Sequence, residues 1–566
     1  MSTDKPKEYE MKTGRIAWRY VAVTALCGMA AWSAVSETVE TTPVARMELR
    51  ARAEIRKRDP GIFGDYWWAN RFLNHREQVA RLDGRPVDVV LVGDSIMHYW
   101  EWRHLAKWSA LTNGRTVLNL GYAGDRTQHV LWRIEHGELD GFKAKNVVLM
   151  IGTNNNSSDD TDPANVAKAI ELIIARIREK QPGAQVILHP IFPRGVSADS
   201  KRHAAARARN DRTNVLLKEF ATAHPEVTWV DFNDKLVDST GWVPRTIMAD
   251  EIHPTDAGYD LWLEALLPHL RDDRVPLADP FILYEKGTYY AYGTHSRVGI
   301  TVATSTDLVH WKMDQGRSKD GLALHMDDSF GKKFFWAPEV YRVGGRYVMY
   351  YSAETHVCAA TADSPLGPFR QAEKKPILER GGIDNSLFVD DDGRAWMVYV
   401  HFDKGNVVWL TEMEKDGLHA KPGTARMVLR AEKGWEMMNP RCSVTEGPFI
   451  VKIGGTYVLT YSANDYRDRD YAVGVATARS LEGPWTKYAG NPILRRRFGL
   501  VGVGHHSLFK DADGKWRIVF HAHNGGGKDT IHPRCMYIAG IDFKTLDGVP
   551  VPVVDDNFIR CVIIPH

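Results

Sequence analysis

Apolar runs and helical patterns alternate along the first half of the chain. Four runs are predicted to be buried parallel strands: VDVVLVG (87–93), NVVLMIG (146–152), QVILHP (185–190) and VTWVDF (227–232). Between two of them, Asp162 can cap a helix that begins at Pro163 and continues with apolar residues at helical spacing. Strand and helix alternation of this kind predicts a doubly wound α/β domain over residues 46–272.

From about residue 273 the helical pattern stops, and a unit of two strands joined by a glycine turn recurs. The five units lie at 279–294, 337–352, 384–400, 446–462 and 506–521. Five repeats of one β-unit predict a five-bladed β-propeller over residues 273–566, because a ring of blades leaves only short exposed sheet edges. The chain is therefore expected to be multidomain, with an α/β domain followed by an all-β propeller.

Composition narrows the range of partners. The chain has 566 residues, of which 44% are apolar and 25% charged, as in ordinary globular proteins. The 73 lysines and arginines balance 71 aspartates and glutamates, which gives no reason to expect nucleic acid or an anionic membrane as a partner. The 18 tryptophans are compatible with large cores or with sugar-stacking platforms.

The beginning of the chain has the pattern of a targeting segment. Lys12, Arg15 and Arg19 precede an uncharged run over 21–34, and small residues follow it. This pattern predicts a signal peptide over residues 1–36 and a secreted or periplasmic bacterial protein with no membrane contact after cleavage. An uncleaved anchor is the alternative.

Four of the five cysteines lie beyond this segment. Cys27 would be removed with the signal peptide, which leaves Cys358, Cys442, Cys535 and Cys561. No pair has the C-x-x-C spacing of a zinc or redox site. Export allows one or two disulfides, and buried free thiols fit the sequence equally well.

Four motifs in the α/β half contain candidate catalytic residues. They are GDS (93–95), NLGYAGDRTQHVLWRI (119–134), GTNNN (152–156) and DEIHP (250–254). A serine hydroxyl becomes an effective nucleophile when a base accepts its proton. His253 is the candidate base for Ser95, and Asp250 would fix the tautomer of that histidine.

These motifs, over about residues 80–272, resemble the SGNH or GDSL-like hydrolases, particularly the platelet-activating-factor acetylhydrolase-like esterases. The resemblance implies a catalytic triad of Ser95, Asp250 and His253. It also implies an oxyanion hole formed by the backbone N–H groups of Ser95 and Gly124 and the side-chain amide of Asn154. Purely turn-forming roles are the alternatives for Gly124 and Asn154.

Carboxylates open three of the propeller units. Asp279, Asp384 and Glu446 begin the first, third and fourth units, and the inner strands of a propeller point their ends at its central channel. Crowding three carboxylates costs free energy, so their convergence predicts that the protein uses them. The strings LADPFI, WAPEV, GGIDNSLFVDDDG, TEGPFI and GVGHHS, within about residues 275–550, resemble glycoside hydrolase family 43.

The second resemblance implies that Asp279 is a general base, Glu446 a general acid, and Asp384 a group that raises the pKa of the acid and orients it. The implied reaction inverts the anomeric centre. His505 matches the central-channel histidine of the family. It is expected to bind substrate or a structural calcium ion, or to be a plain buried histidine.

Two further features of the propeller half are interpreted from their neighbours. Phe335 and Trp336 precede the repeat element APE and are predicted either to shape a sugar pocket or to belong to an aromatic core. Asp390, Asp391 and Asp392 are interpreted as a solvated turn.

The two resemblances together imply a bifunctional enzyme that degrades plant hemicellulose. Its esterase would remove acetyl or other small acyl groups, and its propeller would cleave arabinofuranosyl or xylosyl bonds. No cofactor is expected apart from a structural calcium ion, and the expected partner is a polysaccharide or oligosaccharide substrate. Two alternatives stay open: the propeller is a carbohydrate-binding module, or the α/β domain acts on lipid esters.

Overall fold

The structure is a computed structural model that describes residues 67–82, 86–158, 161–378, 380–524 and 530–564. The predicted signal peptide, residues 1–36, lies outside these ranges. Within them, no helix combines the length and apolar character needed to cross a membrane.

A five-stranded parallel sheet forms the centre of the first domain. Its strands are β1 (Val87–Gly93), β2 (Val117–Gly121), β3 (Ala144–Met150), β4 (Gln185–Leu188) and β5 (Val227–Trp229). Their order across the sheet is β2-β1-β3-β4-β5. The four predicted strands are present. The prediction missed β2, a short strand that begins just before the second motif.

Helices cover both faces of this sheet. They are α1 (Trp67–Arg81), α2 (Ser95–His98), α3 (Leu105–Thr112), α4 (Thr127–Glu135), α5 (Pro163–Lys180), α6 (Lys201–Ala223) and α7 (Asp256–Leu266). Val90 and Val92 of β1 pack with α4 and α5, whereas Val89 and Leu91 pack with α7. Burial on both faces explains why β1 is a continuous apolar run. Helix α5 begins as predicted, with the Asp162 side chain accepting the backbone N–H of Ala164, the second residue of the helix, at 2.9 Å.

Five antiparallel sheets form the second domain. Blade one contains β6 (Ala278–Glu285), β7 (Thr288–Thr294), β8 (Gly299–Ser305) and β10 (Leu322–His325), with β9 (His310–Trp311) beside it. Blade two contains β11 (Trp336–Val343), β12 (Arg346–Ala353) and β13 (His356–Ala362). Blade three contains β14 (Gly382–Val389), β15 (Ala395–Phe402), β16 (Asn406–Glu412) and β17 (Arg426–Leu429).

The last two blades complete the ring. Blade four contains β18 (Thr445–Ile453), β19 (Thr456–Ala463), β20 (Ala472–Ala478) and β21 (Thr486–Lys487). Blade five contains β22 (Gly504–Lys510), β23 (Trp516–Ala522), β24 (Cys535–Leu546) and β25 (Val549–Arg560), and β26 (Val562–Ile563) then pairs with β9. The first strands of neighbouring blades contact one another around the ring, with β22 against β6. The predicted five-bladed propeller is confirmed.

Each first strand has an irregularity at the same repeat position. Its register shifts there, and one residue has a positive φ angle: Asp279 (50°), Ala337 (44°), Asp384 (54°), Gly447 (52°) and His505 (41°). Four of these are not glycine, so the backbone is strained at this position in four of the five blades. A bulge bends a strand and changes the direction of its side chains. Glu446 lies one residue before this position and is therefore not the repeat equivalent of Asp279 and Asp384.

The four cysteines of the described chain are free thiols. Cys358, Cys535 and Cys561 are buried, and Cys442 is partly exposed. Of the two alternatives left open by the sequence, the structure has free thiols and no disulfide among these residues.

Candidate active sites

The first site lies where β1 ends and α2 begins. The Ser95 hydroxyl lies 2.8 Å from Nε2 of His253, and Nδ1 of the same ring lies 2.6 Å from Oδ2 of Asp250. Asp250 Oδ1 also accepts the backbone N–H of His253 at 2.7 Å. The three side chains form one hydrogen-bonded chain, although Ser95 and His253 are separated by 158 positions.

Hydrogen bonds keep the third member of this chain charged. Burial by itself would raise the pKa of Asp250, but the hydrogen bonds from the His253 side chain and backbone outweigh it and hold the pKa below its usual value. An ionised carboxylate on Nδ1 leaves Nε2 of His253 free to accept the serine proton. The Tyr99 ring lies beside the imidazole, with ring centroids 4.8 Å apart.

The predicted oxyanion donors lie on the loops that follow β2 and β3. Gly124 has a φ angle of 76°, a conformation that glycine adopts without strain. The Asn154 side-chain amide donates to the backbone carbonyl of Asp125 at 2.9 Å, which holds it beside the Gly124 loop. An amide nitrogen carries two hydrogens, so the second remains for a substrate oxygen.

Two buried acids of this domain were missed by the sequence analysis. Asp94 caps α2 by accepting the Ile96 N–H at 3.0 Å, and burial raises its pKa to about 7. Asp125 accepts Nε1 of Trp68 at 2.9 Å and Nε of Arg133 at 3.1 Å, and all three side chains are buried. Arg133 therefore anchors the loop that carries Gly124. Neither acid has a local signal beyond its motif.

The second site is a cavity of about 620 Å³ at the centre of the propeller. Asp279, Asp384 and Glu446 all line it, together with Trp336 and His505. The three carboxylates predicted to converge are thus brought to one cavity. A cavity of this size is typical of small-ligand sites.

Asp279 accepts hydrogen bonds through both of its carboxylate oxygens, and two histidines lie close to it. Its Oδ1 accepts Nη1 of Arg534 at 2.7 Å, and its Oδ2 accepts the Thr294 hydroxyl at 2.6 Å. Nδ1 of His505 and Nδ1 of His521 each lie 3.3 Å from Oδ1. Burial opposes ionisation, but the Arg534 guanidinium, followed by the histidines, holds the pKa of Asp279 well below its ordinary range. This carboxylate is the charged member of the cavity.

Glu446 has the opposite electrostatic character. Burial raises its pKa to about 7, although hydrogen bonds from Tyr471 to Oε1 and from Asn406 to Oε2, each 2.9 Å long, act in the other direction. The negative charge of Asp279 contributes to this raised pKa. Near neutral pH this side chain can hold a proton and donate it.

Asp384 has a raised pKa as well. Its own pKa is raised well above the ordinary value, first by burial and then by the charges of Glu446 and Asp279. Its backbone N–H donates to the Ser352 hydroxyl at 3.0 Å. Because repulsion between two carboxylates is mutual, Asp384 and Glu446 both have raised pKa values beside the charged Asp279.

The two adjacent aromatic residues have different places. Trp336 lines the cavity and stacks on Phe334, with ring centroids 4.8 Å apart. Phe335 is 1% exposed and packs against Tyr351 in the core, so we do not propose it as a sugar-binding residue. Adjacent residues of an extended chain point to opposite sides, which separates the two alternatives left open by the sequence.

The interpretation of the DDDG run as a solvated turn is wrong for its first residue. Asp390 accepts Nζ of Lys452 at 2.7 Å and the Tyr457 hydroxyl at 2.6 Å, and its side chain is only 8% exposed. It joins blade three to blade four. Asp391 and Asp392 are exposed, as expected.

The surroundings of His505 do not fit the calcium ion considered from the sequence. Its Nδ1 faces the same Asp279 oxygen that accepts Arg534, and a guanidinium there opposes a second cation. The described ranges contain no group of three His, Cys, Asp or Glu side chains arranged to hold a metal. Calcium prefers six to eight oxygen ligands.

Four residues around the carboxylates were not identified from the sequence. Arg534 and Asn406 line the cavity, whereas Tyr471 and His521 contact its carboxylates from the surrounding core. All four reach the carboxylates only in the folded protein.

The fold and the two sites are those of a two-domain hydrolase, with a hydrogen-bonded chain of Ser95, His253 and Asp250 in the α/β domain and a carboxylate-lined cavity in the propeller. The chain belongs to two hydrolase families. Residues 91–261 match the GDSL-like lipase/acylhydrolase family, and residues 274–550 match the glycosyl hydrolases family 43.

Individual relatives cover each half. The platelet-activating factor acetylhydrolase IB subunit alpha1 of Pongo abelii is 33% identical over 226 residues, which is 39% of this chain and 92% of that protein. The Homo sapiens subunit is 33% identical over 198 residues, 35% of this chain and 80% of that protein. A solved endo-1,4-beta-xylanase of Bacteroides thetaiotaomicron is 39% identical, with 52% of this chain and 98% of that chain covered and a TM-score of 0.48.

Proposed function

We propose that the protein is a secreted bacterial enzyme with two activities on plant hemicellulose: a serine esterase and an inverting glycoside hydrolase of the arabinofuranosidase or xylosidase type. The observation that carries the glycosidase proposal is the opposite electrostatic state of Asp279 and Glu446 in one cavity. Two carboxyl groups whose surroundings separate their pKa values are suited to act as base and acid. The hydrogen-bonded chain from Ser95 through His253 to Asp250 supports the proposed esterase activity.

In the esterase reaction, His253 accepts the Ser95 proton as the hydroxyl oxygen attacks the ester carbonyl carbon. The resulting oxyanion receives hydrogen bonds from the backbone N–H groups of Ser95 and Gly124 and from the Asn154 amide. His253 then protonates the leaving alcohol, and water hydrolyses the acyl-enzyme by the same steps. Asp250 orients the imidazole and stabilises its charged form throughout.

In the glycosidase reaction, Asp279 accepts a proton from a water molecule that attacks the anomeric carbon. Glu446 donates its proton to the departing glycosidic oxygen, so the bond breaks with inversion. Asp384, buried beside both groups, orients Glu446 and the sugar. Trp336 offers an aromatic face to the sugar ring.

The substrate class rests on the family memberships and on the pairing of the two activities. The relatives of the first half are named acetylhydrolases, which supports an acetyl group as the acyl substituent. Acetyl groups on a hemicellulose chain obstruct a glycosidase, so an esterase in the same chain would expose the bonds that the propeller cleaves. A polysaccharide substrate also fits a secreted protein.

Two single variants test the proposal. Ser95→Ala should abolish acetate release from p-nitrophenyl acetate and acetylated xylan and leave pentose release intact. Glu446→Gln should abolish pentose release from arabinoxylan or p-nitrophenyl arabinofuranoside and leave the esterase intact. Wild-type protein that releases neither product would refute the proposal. Loss of both activities in each variant, with native melting behaviour, would indicate one shared site instead.

A lipid ester is the second candidate for the α/β domain, favoured by the name of its platelet-activating-factor relatives. The wild-type kcat/KM for acetylated xylo-oligosaccharides and for a short-chain acetyl phospholipid decides between them. Sugar binding without turnover by the wild-type propeller would instead favour a carbohydrate-binding module.

A further inference from the structure

A turn of the esterase domain packs directly against the fifth blade. This turn, Asn113–Arg115, joins α3 to β2 and is called the bracing turn below. Gly114 has a φ angle of 66°, and a Cβ atom there would lie 2.1 Å from the Tyr537 hydroxyl of β24. Two features therefore favour glycine at this position: its backbone conformation and its close approach to the propeller.

Hydrogen bonds tie the bracing turn to the end of β23. Nδ2 of Asn113, a residue 2% exposed, donates to the His523 carbonyl at 2.7 Å. Nη2 of Arg115 donates to Oδ1 of Asn524 at 3.2 Å, and Nη2 of Arg274 donates to the same oxygen at 2.6 Å. Buried contacts of this kind rigidify a segment because a broken hydrogen bond leaves an unsatisfied polar group.

His523 and Asn524 are each hydrogen-bonded to a segment that lines the glycosidase cavity. Nε2 of His523 donates to the backbone carbonyl of Tyr466 at 2.7 Å, and Tyr466 lines the cavity. The backbone N–H of Asn524 donates to the carbonyl of Ile531 at 3.0 Å. The chain then continues from Ile531 to Arg534, which also lines the cavity.

Arg534 lies in one of these segments and contacts the other and also Asp279. Its guanidinium lies over the Tyr466 ring, 4.6 Å from the ring centroid, and its Nη1 donates to Oδ1 of Asp279 at 2.7 Å. His523 and Asn524, which both accept hydrogen bonds from the bracing turn, thus begin two paths of contacts that lead to Arg534.

We propose that the bracing turn of the esterase domain is a positioning element of the glycosidase site: it fixes His523 and Asn524, and through them keeps Arg534 on Asp279. The glycosidase then depends on the esterase domain, whereas the esterase does not depend on this contact. This inference rests on the proposed glycosidase function of the cavity, and its mechanical part can be measured separately.

Asn113→Ala in the full chain tests the dependence. We expect kcat/KM for p-nitrophenyl arabinofuranoside or xyloside to fall about 3- to 10-fold, the range for loss of one buried hydrogen bond. The acidic limb of the pH profile should also move to higher pH, since a displaced Arg534 no longer lowers the pKa of Asp279. Hydrolysis of p-nitrophenyl acetate should stay unchanged.

Arg560→Gln is the matched control. Arg560 pairs with Asp88 at 3.0 Å across the same domain interface, and none of its described polar contacts involves residues 523–534. It should leave both activities and the pH profile unchanged. Equal losses in Arg560→Gln and Asn113→Ala would overturn the inference in favour of general interface stability, as would unchanged glycosidase kinetics in Asn113→Ala.

Hydrogen exchange tests the brace without reference to turnover. Peptides covering 519–524 and 530–540 should exchange faster in Asn113→Ala than in wild type or Arg560→Gln. Unchanged exchange would overturn the inference even if the wild-type protein had no glycosidase activity. A wild-type protein without glycosidase activity would refute the proposed function of the cavity but not the mechanical role of the bracing turn.

Discussion

Replacing Tyr471 with phenylalanine tests the role of Glu446 as the general acid. The Tyr471 hydroxyl is fully buried and donates to Oε1 of Glu446 at 2.9 Å. This hydrogen bond stabilises the ionised carboxylate and so lowers a pKa that burial raises to about 7. A hydrogen bond to a charged group contributes about 1.5–3 kcal/mol. At 1.36 kcal/mol for each pKa unit, its loss should raise the pKa of Glu446 by about one to two units.

The assay is kcat/KM of the glycosidase reaction as a function of pH. A general acid works only while protonated, so activity falls as the pH rises through its pKa. Tyr471→Phe should therefore move the alkaline limb about one to two units upward. The acidic limb, set by Asp279, should stay in place. An alkaline limb that stays in place or moves to lower pH would refute the assignment of Glu446.

A second buried tyrosine in blade four supplies the control. The Tyr461 hydroxyl donates to Oε1 of Glu436 at 2.5 Å, and neither residue lines the cavity. Tyr461→Phe removes a comparable hydroxyl–carboxylate contact. It should lower the melting temperature without moving either limb of the pH profile. A shift equal to that in Tyr471→Phe would point to a general change of the propeller.

Three further variants probe other buried charges. Asp250→Asn should lower the esterase kcat by roughly 10³–10⁴-fold, because the amide favours the wrong His253 tautomer, with p-nitrophenyl acetate turnover as the check. Arg133→Met removes the buried guanidinium that pairs with Asp125 and should destabilise the esterase domain by about 3–5 kcal/mol in denaturant unfolding, whereas no change would contradict a structural role for this ion pair. Burial raises the pKa of Glu339 from 4.5 to about 8, so its stabilisation is complete below pH 4.5 and is lost as the pH rises through 8. The melting temperature of Glu339→Gln should therefore fall less between pH 5 and 9 than that of the wild type. Melting temperatures that fall in parallel in both proteins would contradict the raised pKa of Glu339.

Much of the fold could be predicted because its signals are local. A continuous apolar run indicates a strand buried on both faces, and two strands around a glycine turn indicate a hairpin that repeats. The same reasoning located the catalytic candidates, since motif residues adjoin strand ends. Asp250 and His253 are three positions apart, so their hydrogen bond was predictable from spacing. The short strand β2 was missed because five residues carry little periodicity.

The sequence by itself determined the two folds, the serine triad candidates and the identity of the three propeller carboxylates. Only the tertiary structure decided their electrostatic states, because burial and distant partners set a pKa. Arg534 reaches Asp279 across 255 positions, and no local pattern links them. The folded structure likewise decided that Trp336 faces the cavity while Phe335 packs in the core. Local backbone geometry follows from neighbouring residues, whereas charge states and cavity walls depend on contacts that form only when the blades close into a ring.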